Sequence, residues 1–203
     1  MTVDVGTGDG RAVLAAAARE PTTLVLGLDA NAAAMSAASR RAARPARNGG
    51  LGNARFVLAA AEAPPSELKG LAERVTILFP WGSLLRGCVG RDAAVAAGVA
   101  GLVAAGGTLE LLLAPAQRDG LESVPIDAEA LASAVARAFD TDGLALVESR
   151  PAAEDEIQAT RSSWARRLLP RREADRRVML IRLVKLDGRD SVGGPENGTD
   201  RAS

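Results

Sequence analysis

A chain of 203 residues, 47% hydrophobic, with 25 basic side chains against 25 acidic ones, is long enough to bury the core of one α/β domain. Histidine is absent and Cys88 is the single cysteine, which excludes a Ser-His-Asp triad, a Cys-His pair, His- or Cys-ligated zinc and an internal disulfide. The longest apolar run, Ala93–Ala105, has 13 residues, too few to cross a bilayer, and no basic-then-apolar leader opens the sequence. The expectation is a cytoplasmic protein without a metal.

Strand and helix patterns alternate along the chain. Thr2–Val5 reads as a short strand running into a glycine loop, and Arg11–Arg19 as a helix. Leu24–Leu28 is an apolar run of the length of a buried parallel strand, ending at Asp29. Asn31–Arg44 is an alanine-rich helix stopped by Pro45, followed by a loop over Arg47–Gly52. Arg55–Leu58 and Val75–Leu78 are further strands, the second halted by Pro80. Ala93–Ala105 is predicted as a buried helix ended by Gly106-Gly107. Thr108–Leu113 is a strand, Asp127–Ala138 a helix with an aspartate cap, and Leu144–Glu148 a sixth strand. Glu154–Leu169 reads as a helix or a helix plus loop, and Val178–Lys185 as a seventh strand. Such alternation implies a mostly parallel sheet covered on both faces, with one of the last two strands antiparallel. Residues 1–186 then form one domain, and Asp187–Ser203, Gly-, Asp- and Asn-rich with almost no apolar residue, is expected to be a disordered tail.

The first chemical motif is Asp4-Val5-Gly6-Thr7-Gly8-Asp9-Gly10, directly after the first strand. Ligands of open α/β sheets bind beyond the carboxyl ends of the strands, and glycine lets the backbone come close to them. Asp29, about twenty residues on at the end of the second strand, is placed to accept both hydroxyls of a ribose. The spacing differs from a dinucleotide fingerprint, and Asp4 and Asp9 would repel a phosphate. They suit a cofactor carrying an ammonium and a sulfonium, S-adenosylmethionine. The alternative is an ordinary turn between a strand and a helix.

Only 2% of the chain is aromatic, and its two tryptophans stand in short motifs, Phe79-Pro80-Trp81-Gly82-Ser83-Leu84-Leu85-Arg86-Gly87 and Ser163-Trp164-Ala165-Arg166-Arg167-Leu168. Trp81 follows the fourth strand, at the same sheet edge as the glycine loop. Trp164 precedes the last strand, in a connection that can fold back over that edge. Two rings beside one cofactor could sandwich a nucleobase, since stacking contributes about 1–3 kcal/mol per base and extruding a base costs a few. The competing reading is that both are core residues. Pro80, Gly82, Ser162, Ser163 and Arg166 are poor core neighbours and weigh against it.

Arginine is clustered. Arg40, Arg41, Arg44 and Arg47 form one group without an intervening acid, and seven arginines lie between Arg161 and Arg177. These are either solvated helix faces or a polyanion-binding surface.

At these residues the chain resembles the 16S ribosomal RNA adenine-N1 methyltransferases that confer kanamycin and apramycin resistance. The likeness is carried by Asp4–Gly10, Gly27-Leu28-Asp29, Pro45–Leu51, Ala59–Pro64, Phe79–Gly87 and Ser163–Leu168, with the two tryptophan motifs the most specific. The resemblance implies a Rossmann-like class I S-adenosylmethionine-dependent methyltransferase with a seven-stranded, mostly parallel sheet and helices on both faces. It implies that Asp4, Gly6, Thr7, Gly8, Asp9 and Asp29 hold the methionine and ribose of the cofactor, that Ala61 and Glu62 border its adenine, and that Leu78, Pro80 and Ser83 shape the floor near the methyl group. Trp81 and Trp164 would clamp a flipped adenine 1408, while Arg40, Arg41, Arg44, Arg47, Arg167, Arg171 and Arg172 grip the RNA backbone of an assembled 30S subunit. The protein would act as a monomer. Family members carry a hairpin of about twenty residues ahead of the glycine motif. Here Asp4 stands almost at the first residue, so the hairpin is expected to be absent, through a late start codon or because this member works without it. Two other readings compete: a small-molecule methyltransferase of secondary metabolism, and an RNA-binding protein without activity.

Overall fold

The computed structural model describes residues 1–114, 127–162 and 178–187. Seven strands form one sheet: β1 (Thr2–Val5), β2 (Val25–Asp29), β3 (Ala54–Leu58), β4 (Ala72–Leu78), β5 (Val103–Leu113), β6 (Leu144–Pro151) and β7 (Met179–Lys185). Their order is β3-β2-β1-β4-β5-β7-β6. β1 to β5 pair in parallel, and β7 alone runs antiparallel to its neighbours β5 and β6. That is the expected mostly parallel sheet, with the antiparallel strand among the last two.

The helices are α1 (Arg11–Arg19), α2 (Ala32–Ala42), α3 (Gly82–Cys88), α4 (Ala93–Leu102), α5 (Ala128–Asp140) and α6 (Glu154–Ala159). α1 and α2 bury Val13, Leu14, Ala17, Ala38 and Ala42 against Val25 and Ala54 on one face. α3, α4 and α5 cover the other face, where Leu85, Val99, Leu102, Leu131, Val135 and Phe139 meet Val3, Leu28, Val75, Ile77, Leu109 and Ile181. Small residues on these helices let them pack closely, which suits a chain whose apolar volume is mostly Ala, Leu and Val. Asn31, Asp92 and Asp127 each accept a hydrogen bond from a backbone N–H of the first turn, the cap expected at Asp127 among them.

Most element ends move by a few residues from the sequence reading, and two departures are larger. The helix expected over Ala93–Ala105 stops at Leu102, and Val103 already pairs with Ala72 of β4. The ladder resumes only at Arg74 and Thr108, so residues 104–107 bulge out of it, turning at Gly106 (φ 69°). Alanines matched the helical pattern, but pairing of the buried Val103 in the sheet prevails. α3 was not anticipated, because Pro80, Gly82 and Gly87 read as breakers; Leu85 and Cys88 are buried and hold the short helix down. Of the two forms expected over Glu154–Leu169, the described part takes helix plus loop: α6 ends at Ala159, and residues 163–177 lie outside the described ones. The expected tail beyond residue 187 also lies outside the described residues.

Candidate active site

The strand order reverses between β1 and β4, and a cavity of about 460 Å³ opens there beyond the carboxyl ends of β1, β2, β3 and β4. This volume is in the range of small-molecule sites, about 300–1,000 Å³. Asp4, Gly6, Thr7, Gly8, Asp9, Asp29, Ala61, Glu62, Leu78, Pro80, Trp81 and Ser83 all border it. Every cofactor residue expected from the sequence is therefore at one place, together with three of the four residues expected at the reaction centre, Pro80, Trp81 and Ser83. The fourth, Trp164, lies outside the described residues, as do Arg167, Arg171 and Arg172. Ser162, at the start of that connection, borders the cavity.

The glycine loop is built by the backbone. The N–H groups of Gly6 and Thr7 donate to the Leu28 carbonyl at 2.8 and 3.0 Å, tying the loop to β2. Gly8 has a left-handed φ of 56° with open space where a side chain would be, so its backbone faces the cavity bare. Asp29 is fixed from two sides, accepting from Gly8 N–H on one carboxylate oxygen and from Asn31 N–H on the other, each at 2.8 Å. Each oxygen keeps a free lone pair for a hydroxyl. Asp9 is paired with Arg11 at 3.4 Å on the exposed side.

Asp4 is the electrostatic centre. Its carboxyl is 4% exposed and no cation among the described residues pairs with it. Burial pushes its pKa up from 3.8 to about 6; the Thr7 and Thr76 hydroxyls beside it counter only part of that, and the charge of Asp29 adds to it. Thr76 Oγ1 donates to it at 2.8 Å. Thr7 Oγ1 is the one buried side-chain oxygen among the described residues with no partner in hydrogen-bonding geometry. A buried carboxylate lacking a cation, an orphaned hydroxyl and a diol-ready Asp29 in one cavity fit a cofactor with a cationic amino-acid end and a ribose.

The remaining walls come from further along the chain. α4 presses on the Ala61 segment: a Cβ on Gly98 would stand 2.1 Å from the Ala61 carbonyl oxygen. Trp81, at the cap of α3, is 73% exposed on the rim, which dismisses the core reading for this ring. Phe79, two residues earlier, is buried with a left-handed φ of 53°. Thr76 and Gly98 escaped the sequence reading. Their roles are contacts between distant segments, and nothing in their local patterns signals them.

Arg40 and Arg41 in the last turn of α2, and Arg44 and Arg47 just beyond, are all exposed. Asn31 and Ala34 at the start of α2 border the cavity, and Arg40 lies six residues beyond Ala34, about 9 Å further along the helix axis, with Arg44 and Arg47 past its end. No helix of the described residues is long and apolar enough to cross a membrane, and no cluster of metal ligands occurs among them.

Comparison with known proteins finds methyltransferases. The chain is 33% identical over 174 residues to a 16S rRNA (adenine(1408)-N(1))-methyltransferase of Streptoalloteichus hindustanus, covering 83% of this chain and 80% of that one. A tryptophan-to-alanine variant of the 16S rRNA (adenine(1408)-N(1))-methyltransferase from Catenulisporales acidiphilia, solved with cosubstrate SAM, superposes with a TM-score of 0.82 at 32% identity, over 94% of this chain and 88% of that one. The aminoglycoside resistance methyltransferase NpmB1 does so with a TM-score of 0.75 at 34% identity, over 91% and 86%. The model of the NpmA family, 16S rRNA (adenine(1408)-N(1))-methyltransferase, matches residues 1–184, and the chain belongs to that family.

Proposed function

We propose that the protein uses S-adenosylmethionine to methylate N1 of adenine 1408 in 16S rRNA, in the assembled 30S subunit, and that this confers kanamycin and apramycin resistance. The observation that carries the reading is the meeting of the Asp4–Gly10 loop, Asp29, Ala61-Glu62 and the Trp81 loop around one cavity. Asp4, Gly6, Thr7, Gly8, Asp9 and Asp29 hold the amino-acid and ribose parts of the cofactor, Ala61 and Glu62 its adenine. When bound, the cofactor supplies an electrophilic methyl group. Leu78, Pro80 and Ser83 bound the space in which the acceptor nitrogen approaches that group, and Trp81 stacks on the flipped base with Trp164 as its partner.

Adenine N1 carries an in-plane lone pair and no proton at neutral pH, so the transfer needs no general base. A chain without histidine is adequate to it. What the residues supply is orientation and a favourable field. The methylated base is cationic, and an indole face favours a cation. Arg40, Arg41, Arg44 and Arg47 lie far enough from the cavity to hold RNA backbone flanking the extruded base, with Arg167, Arg171 and Arg172 gripping from the other tryptophan segment. The protein acts as a cytoplasmic monomer with residues 1–186 as its single domain.

The test is incubation of the protein with 30S subunits and labelled cofactor, followed by primer extension across the decoding site. N1 methylation blocks Watson–Crick pairing, so reverse transcription should stop next to adenine 1408. Label in a small molecule and none in rRNA would move the assignment to the secondary-metabolism alternative. Cells expressing the chain should survive kanamycin and apramycin.

A further inference from the structure

Two non-glycine residues of the described chain have a left-handed backbone, Phe79 (φ 53°) and Arg161 (φ 54°). Each stands at the root of a loop that reaches the cavity. Phe79 is two residues ahead of Trp81, and Arg161 directly precedes Ser162; Trp81 and Ser162 border the same cavity. The segment that begins at Ser162 runs on in sequence to Trp164. A left-handed φ is disfavoured for a bulky side chain by contact of Cβ with the backbone, so tertiary packing must enforce it at Phe79.

That packing is specific. The Phe79 ring is 6% exposed and clusters with Leu112 of β5, Leu180 of β7 and Ile157 of α6. Phe79 N–H donates to the Leu112 carbonyl at 2.8 Å. Ile157 is four residues ahead of Arg161, and its carbonyl accepts the Thr160 hydroxyl at 2.8 Å, which in turn accepts Ser162 N–H at 3.2 Å. α6 is clipped to β6 independently, since Arg150 donates twice to Glu156 at 2.7 Å. One apolar cluster thus ties together the root of the Trp81 loop and the root of the Ser162 segment.

We infer that Phe79 is a positioning residue for the methyl transfer: its ring, packed in one cluster with Ile157, Leu112 and Leu180, fixes the Trp81 loop against α6 so that Trp81 meets the base in register. It acts through Trp81. The inference rests on the function proposed above.

Phe79→Asn accepts the left-handed backbone but removes the ring, Phe79→Leu keeps apolar bulk, and Ile157→Ala opens the same cluster from α6. Turnover and KM on 30S subunits, cofactor Kd by calorimetry and melting temperature are measured for each. In a Trp164→Phe background the chain has no tyrosine and one tryptophan, so fluorescence anisotropy reports on Trp81 alone. Phe79→Asn and Ile157→Ala should lower kcat tenfold or more with KM and cofactor Kd within threefold, and should lower the anisotropy of Trp81. Phe79→Leu should restore kcat to within threefold of the parent. Unchanged kcat or unchanged anisotropy in Ile157→Ala overturns the assignment. So does a joint decline of kcat, KM and Kd that follows the melting temperature, which is general loss of fold. If Phe79→Asn does not fold, Ile157→Ala and Phe79→Leu decide alone. A parent chain that leaves adenine 1408 unmethylated sinks the proposed function, whereas indifferent variants of a methylating parent sink only the role of Phe79.

Discussion

With the proposed cofactor in the cavity, stability and binding oppose each other at Asp4. A carboxyl whose folded-state pKa is raised above its unfolded value binds protons more tightly when folded. Its contribution to stability is therefore fully present below pH 3.8 and is lost as pH rises through about 6. The shift is on the order of 3 kcal/mol as an upper limit. Asp4→Asn should raise the melting temperature of the ligand-free protein by several degrees at pH 8, with the difference gone near pH 4. The same variant should bind S-adenosylmethionine at least tenfold more weakly at pH 8, because it loses the charge opposite the ammonium. Cofactor affinity of the parent, followed by calorimetry, should fall as pH drops through about 6, and that dependence should vanish in Asp4→Asn. An equally tight variant would remove Asp4 from the cofactor site. Trp81 behaves differently, since its exposed ring contributes little to the core. Trp81→Ala should cut methylation of 30S subunits by a hundredfold or more while cofactor Kd stays within threefold and the melting temperature barely moves, and Trp81→Phe should keep much of the rate.

Among the elements, α4 is a helix whose position sets the cavity without supplying a polar group to it. Its apolar run was plain, but its pressure on the Ala61 backbone depends on Gly98, which looked like one small residue among many. Gly98→Ala places a methyl group against a carbonyl oxygen 2.1 Å away, where no flexible side chain can yield. Overpacking of this kind costs about 1–3 kcal/mol. Thermal unfolding should show a drop of several degrees, and calorimetry a weaker cofactor, as the Ala61-Glu62 wall shifts. A variant with unaltered melting temperature and Kd would show that α4 has slack at this point. α3 makes the complementary point. Its glycines and Pro80 hide it from pattern reading, and burial of Leu85 and Cys88 restores it.

Across the whole molecule, charge is balanced in total and uneven in placement. The exposed Arg40, Arg41, Arg44 and Arg47 stand at and beyond the far end of α2, away from the cavity, and the proposed function gives them docking rather than chemistry. Replacing Arg40 and Arg41 by alanine should weaken 30S binding and reduce the steepness of log K against log salt by about one unit for each phosphate that is no longer neutralised. Cofactor affinity measured without subunits should not change. Filter binding at several salt concentrations makes the comparison, and an unaltered slope would return these arginines to simple solvation.

Much of this was determined by the sequence alone. Period and punctuation identified all seven strands, since an apolar run such as Leu24–Leu28 bounded by breakers has few other places to go. The loop Asp4–Gly10, Asp29 and the exposed character of Trp81 were legible because each is a local demand: a bare backbone, a strand-end carboxylate, a ring among residues that do not build cores. Only the tertiary structure decided where α4 yields to β5, that burial lifts Asp4 to about 6 beside Thr76, that Gly98 carries a wall, and that Phe79 meets Ile157. Those are meetings across dozens of residues of chain. No local pattern encodes them, because they arise when strands distant in sequence are brought to one sheet edge.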